Sequence, residues 1–149
     1  MRTLLSAIAA VLALSACSAG KVTSPVESTF VANGLEQQLR IEPAGEPFDN
    51  TGEVFQLTSR LVNRGSEPVT VRVVTCWLDP KENLRASAEL MARAIPGCVP
   101  QPNVLTLAPG EASGSLSFIG QLDRPGRHTI RVRHALDPEF WGEIRVVAR

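Results

Sequence analysis

Tyrosine is missing from this sequence altogether, and only two tryptophans, Trp77 and Trp141, and two lysines, Lys21 and Lys81, are present. With so few rings, a stacking platform for carbohydrate has little to be built from. An excess of charge of either sign is also missing, since 15 Lys and Arg residues face 15 Asp and Glu residues. That balance leaves no electrostatic footprint for nucleic acid, which is excluded as a partner. Signatures of catalysis are equally scarce. The sequence has no Gly-x-Ser-x-Gly elbow, no phosphate-cradling glycine loop, no His-Glu-x-x-His helix and no Cys-x-x-Cys pair. The expectation is a protein that is not an enzyme and that uses neither metal nor cofactor.

What is present begins with an export segment. Arg2 precedes an apolar run of about a dozen residues that ends at Ala16, the layout of a secretory signal peptide. The run is too short to cross about 30 Å of hydrocarbon as a helix. Leu14-Ser15-Ala16-Cys17 closes it and resembles the bacterial lipobox, an aliphatic residue and two small residues before a modified cysteine. The resemblance implies cleavage after residue 16, diacylglycerol on the Cys17 thiol and an acyl chain, such as palmitate, on its freed amine. Two or three chains hold a protein on a membrane where one does so only marginally. The competing reading is an ordinary signal peptide cut near Ala19, which also exports the domain.

Residues 17–28 read as the lipidated cysteine and a tether, because Ser18 to Ser28 are mostly small and polar. Fully extended, they reach about 35 Å. Ser18 beside the cysteine resembles the enterobacterial signal for outer rather than inner membrane. The expected location is therefore a cell or outer membrane, lipid-anchored, with the domain in the periplasm or outside the cell. Loss of residues 1–16 removes Arg2 and leaves 14 bases against 15 acids.

Assigning Cys17 to lipid leaves Cys76 and Cys98 as an even pair. In an oxidising envelope that pair reads as a disulfide. It closes a loop of about 23 residues, and loop-closure entropy makes that worth roughly 3 kcal/mol. No histidine stands close to either cysteine in the sequence, so a metal or catalytic role fits less well.

Through residues 29–149, alternation with period two dominates. Leu39 and Ile41 alternate with Gln38, Arg40 and Glu42. Phe55, Leu57 and Leu61 alternate with Gln56, Thr58 and Arg60, and Val69, Val71 and Val73 alternate with Thr70 and Arg72. Turn sequences Asn63–Pro68, Ala108–Glu111 and Asp123–Gly126 separate such runs. About seven short strands follow, which predicts an all-β antiparallel sandwich. Residues 80–95 stand apart. Asp79 as N-cap, Pro80 at the first helical position and Glu82 as capping partner suit a short helix inside the disulfide loop. A loop with an irregular strand is the other reading.

The runs Leu105-Thr-Leu-Ala-Pro-Gly-Glu and Pro125-Gly-Arg-His-Thr-Ile-Arg-Val, with the strand ending in Asn63 before a polar turn, resemble bacterial Ig-like domains of the CARDB and BsuPI proteinase-inhibitor type. The resemblance implies an Ig-like sandwich over most of residues 35–149, and the inhibitor likeness implies a protease as one class of target. Antibody-type hallmarks are absent, because there is no tyrosine for a tyrosine corner and Trp77 directly follows Cys76.

Candidate functional residues are few. His128 and His134 lie six apart on one strand, about 20 Å, too far to share a metal ion, and read as strand-end histidines with local hydrogen bonds. Arg127, Arg131 and Arg133 occupy the opposite face, either as a contact for lipid headgroups, polymer or an acidic partner, or as a solvated face. Phe140 and Trp141 read as interface anchors in a loop or as a cap on one end of the sandwich. The functional expectation is a membrane-anchored envelope lipoprotein that binds a protein or polymer; the alternative is an envelope protease inhibitor.

Overall fold

The computed structural model describes residues 22, 24–44, 54–74, 80–87, 90–94, 102–122 and 124–148. Cys17, Cys76, Cys98 and Trp77 lie outside these residues. The protein is all-β and antiparallel. Its strands are β1 Val26–Ala32, β2 Leu35–Pro43, β3 Phe55–Asn63, β4 Val69–Val74, β5 Leu84–Ala86, β6 Leu90–Ala94, β7 Pro102–Leu107, β8 Leu116–Leu122, β9 Gly126–Val132, β10 Ala135–Asp137 and β11 Gly142–Ala148. They form a five-stranded sheet in the order β1-β2-β3-β8-β6 and two three-stranded sheets, β10-β4-β7 and β11-β9-β5.

The strand total thus exceeds the seven that alternation predicts, because β5 and β10 are only three residues long and β1 has no continuous buried phase. The predicted helix within residues 80–95 shrinks to one turn, α1 Pro80–Asn83. Capping signals at Pro80 and Glu82 start that turn, but Leu84–Ala86 then pairs with Ile130–Val132 of β9. Leu90–Ala94 adds to β8 as an edge strand. Tertiary pairing overrides a local helical preference worth only tenths of a kcal/mol per residue.

Two apolar clusters hold the layers together. In the larger one, Leu39, Ile41, Phe55, Leu57, Phe118 and Leu122 of the five-stranded sheet meet Ile130, Val132, Ile144 and Val146 of β9 and β11. In the smaller one, Leu35 and Leu61 of the same large sheet meet Val71, Val73, Leu107, Ala135 and Phe140. Fully burying one such aliphatic side chain stabilises by about 1.5–3 kcal/mol. The two small sheets therefore sit side by side on one large sheet, in a sandwich-like arrangement.

The β3–β4 turn is organised by one side chain. Asn63 is buried, and its Nδ2 donates to Glu67 O at 2.8 Å and Leu107 O at 2.9 Å. Its Oδ1 accepts from Gly65 N at 2.8 Å. An asparagine ending this strand thus satisfies three backbone groups of two different connections. Ordered pairing also begins early. Val22 bridges Ala148 at the end of β11, within the stretch whose sequence reads as tether.

Candidate functional site

Two polar constructions depart from ordinary sandwich packing, one buried and one exposed. The buried one lies on the seam between the two apolar clusters. Gln37 stands between Leu35 and Leu39 on β2, Ser59 between Leu57 and Leu61 on β3, and His134 between Val132 and Ala135 after β9. All three occupy inward positions, and none is more than 2% exposed. Gly142 N donates to Gln37 Oε1 at 3.0 Å, which fixes the orientation of the amide. Gln37 Nε2 then donates to Ser59 Oγ at 3.0 Å and to Val132 O at 3.2 Å. Ser59 Oγ lies 3.1 Å from His134 Nδ1.

Ser59 Oγ accepts from Gln37 and keeps one hydrogen and a second lone pair for His134 Nδ1, so it serves either tautomer of the neutral ring. Desolvation pushes the His134 pKa down from 6.5 to about 4, so the ring is neutral at physiological pH. The ring also lines a half-open pocket of about 210 Å³ with Val73, Asn103, Leu105, Ser115 and Leu116. Ser59 is fully buried, so its hydroxyl bonds within the core rather than facing solvent.

The exposed construction lies on the outer face of the β11-β9-β5 sheet. Arg85 of β5 stands directly across from Arg131 of β9. Like charges directly opposite on antiparallel strands repel. Trp141 offsets part of that cost, since its ring centroid lies 4.5 Å from the Arg85 guanidinium, 5.3 Å from that of Arg133 and 5.9 Å from that of Arg131. Trp141 Nε1 donates to Glu139 Oε1 at 3.1 Å, which holds the indole in place. Arg127 extends the face four residues along β9, about 13 Å.

The arginines on this face differ in how they are compensated. Arg133 is half-buried and tied down, donating to Asn83 Oδ1 at 3.0 Å, Glu82 O at 3.2 Å and Glu139 Oε1 at 3.3 Å. Arg145 pairs with Glu143 at 3.1 Å. Among the described residues, Arg85, Arg127 and Arg131 have no carboxylate within ion-pair distance, although the Glu143 that pairs with Arg145 stands across from Arg131. The outer face of the large sheet is the contrast. There Arg40 pairs with Glu27 at 2.8 Å and Glu42 at 3.0 Å, Arg64 pairs with Glu36 at 2.9 Å, and Arg60 donates to Gln38 at 2.6 Å. The Arg64 guanidinium and the Gln38 amide hold the Glu36 carboxyl below its usual value.

The residues singled out from sequence thus divide. Arg127, Arg131 and Trp141 share the exposed face, and Arg133 borders it as a brace after β9 has ended. Phe140 does not belong to the face. It is 7% exposed, joins the smaller apolar cluster and stacks on Phe30 at 5.8 Å between centroids, so it caps one end of the layers. His128 bonds locally, to Arg124 O at 2.9 Å, whereas His134 reaches across 75 positions to Ser59. Arg85, Gln37 and Ser59 escaped the sequence reading. For Gln37 and Ser59 the signal was there: each is a polar residue at an inward phase of a period-two pattern.

No protein-family model matches this chain, and no curated protein is similar to it. No helix among the described residues is long and apolar enough to cross a membrane.

Proposed function

We propose that this chain is a lipid-anchored protein of the bacterial cell envelope, exported and cut before Cys17, whose Ig-like domain works by binding rather than by catalysis. Cys76 and Cys98 form its disulfide. The domain binds an anionic partner through the arginine–tryptophan face of the β11-β9-β5 sheet. The observation that carries this reading is the Arg85–Arg131 pair against Trp141, on a face where Arg85, Arg127, Arg131 and Arg145 outnumber the Glu143 across from Arg131, in a chain whose charges otherwise balance. Two guanidiniums held side by side at a cost in self-repulsion are relieved by a bound anion, and each offers planar bidentate donors to a carboxylate or phosphate.

The experiment is retention of the purified protein on an anionic matrix as salt is raised. The Arg85→Gln/Arg131→Gln variant should elute at clearly lower salt than the parent, while Arg40→Gln/Arg60→Gln on the opposite face should elute with it. Equal loss of retention in both variants would show general charge rather than a site.

A further inference from the structure

We infer that the anionic partner is the membrane itself: the β11-β9-β5 face lies on the phosphate headgroups of the bilayer to which Cys17 is attached. This rests on the proposed lipid anchor and adds to it an orientation of the domain. Val22 is bridged to Ala148, the last residue of β11, so the chain enters the fold at that end of the sheet. Five Cα steps separate Cys17 from Val22, a span of at most about 17 Å. That is about half the reach the sequence alone suggests, because residues 22–28 belong largely to the fold.

The end of the sheet that is held close to the bilayer is also where the basic face begins. Ala148 pairs with Gly126, and the neighbouring pair is Val147 with Arg127. Val147 is 52% exposed on the same outer face, an apolar contact beside a cation. Farther along β9 come Arg131, its cross-strand partner Arg85 and Trp141. Aromatic rings with one wet edge and arginine stems with charged heads suit the headgroup layer. A face of this kind laid flat puts the guanidiniums of Arg85, Arg127 and Arg131 among phosphates, each multiplying partition about five-fold, while Glu143 across from Arg131 is paired with Arg145 and opposes them only in part. The large sheet's outer face, whose arginines are already paired with Glu27, Glu42 and Glu36, then points away from the bilayer.

The test uses the full-length purified protein with vesicles of phosphatidylcholine alone, or with about a third phosphatidylglycerol. Flotation with the phosphatidylcholine vesicles reads the anchor. Phenylglyoxal labelling, followed arginine by arginine, reads the face. Arg85, Arg127 and Arg131 should be labelled several-fold more slowly on the anionic vesicles than on the neutral ones, with Arg40 and Arg60 unchanged. Raised salt should abolish the difference.

Equal labelling of the five arginines on both vesicle types overturns the inference, even if the protein floats with both and the anchor stands. Absence of flotation with neutral vesicles, joined to selective protection on anionic ones, refutes the anchor and keeps the face. Protection of the same three arginines by soluble polyglutamate but not by anionic vesicles overturns membrane docking in favour of an acidic protein.

Discussion

Replacing His134 by asparagine should change how stability depends on pH, as well as its size. The folded protein holds His134 neutral with a pKa of about 4, against 6.5 for the free side chain. Among the described residues no charged group lines the pocket beside the ring, and burial sets the depression. Between those two values the unfolded chain binds a proton that the folded one does not, so stability falls as pH falls. It is fully present above about 6.5 and lost progressively down to about 4. The loss is about 2 kcal/mol at pH 5 and about 3 kcal/mol over the whole window. Half-buried Glu36, whose pKa is lowered, loses its contribution only below its usual 4.5, so pH 5–7 lies above its window.

The assay is urea unfolding followed by circular dichroism at several pH values. His134→Asn offers Ser59 both a donor and an acceptor and should cost about 1–3 kcal/mol at pH 7 through its smaller side-chain volume. Its pH dependence over that range should be flatter than the parent's by about 2 kcal/mol. Parallel curves for parent and variant would refute the buried neutral imidazole.

Other consequences are equally direct. A Cβ at Gly142 would stand 2.7 Å from Gln37 Oε1, so Gly142→Ala should displace the amide and cost about 2–3 kcal/mol in urea unfolding. Asn63→Ala strips partners from Glu67 O, Leu107 O and Gly65 N, and should cost about 2–4 kcal/mol by the same measurement. Trp141→Leu should leave the fold intact, since the ring lies outside both apolar clusters, yet weaken retention on the anionic matrix by loosening Arg85. Thiol titration of the denatured, unreduced mature protein should find neither Cys76 nor Cys98 free; two free thiols would remove the disulfide.

Alternation made the β class legible because Leu39, Ile41, Phe55, Leu57, Val71, Val73, Ile130 and Ile144 do face inward, and period two is a property of the strand itself. Strands without an apolar phase were invisible, β1 above all, where pairing with β2 does what a buried stripe does elsewhere. Residues 80–95 misled because Pro80 and Glu82 speak only for one helical turn, whereas the pairing of β5 with β9 depends on residues more than 40 positions away. The basic face was half legible. Alternation put Arg127 and Arg131 on one side of β9, but Arg85 enters through topology, and Trp141 joins it through the turn before β11. Phe140 and Trp141 are neighbours in sequence and opposites in fate, one capping the smaller apolar cluster and the other lying among guanidiniums.

The anchored binding module stands or falls at its first residue. Mass spectrometry of the N-terminal peptide, from protein extracted with detergent from the producing bacterium, reads that residue directly. The prediction is a mature chain beginning at Cys17 with diacylglycerol on sulfur, and Cys17→Ser protein that carries no lipid and leaves the membrane fraction. A mature chain that begins beyond Cys17, or at Cys17 with an unmodified thiol, would contradict it.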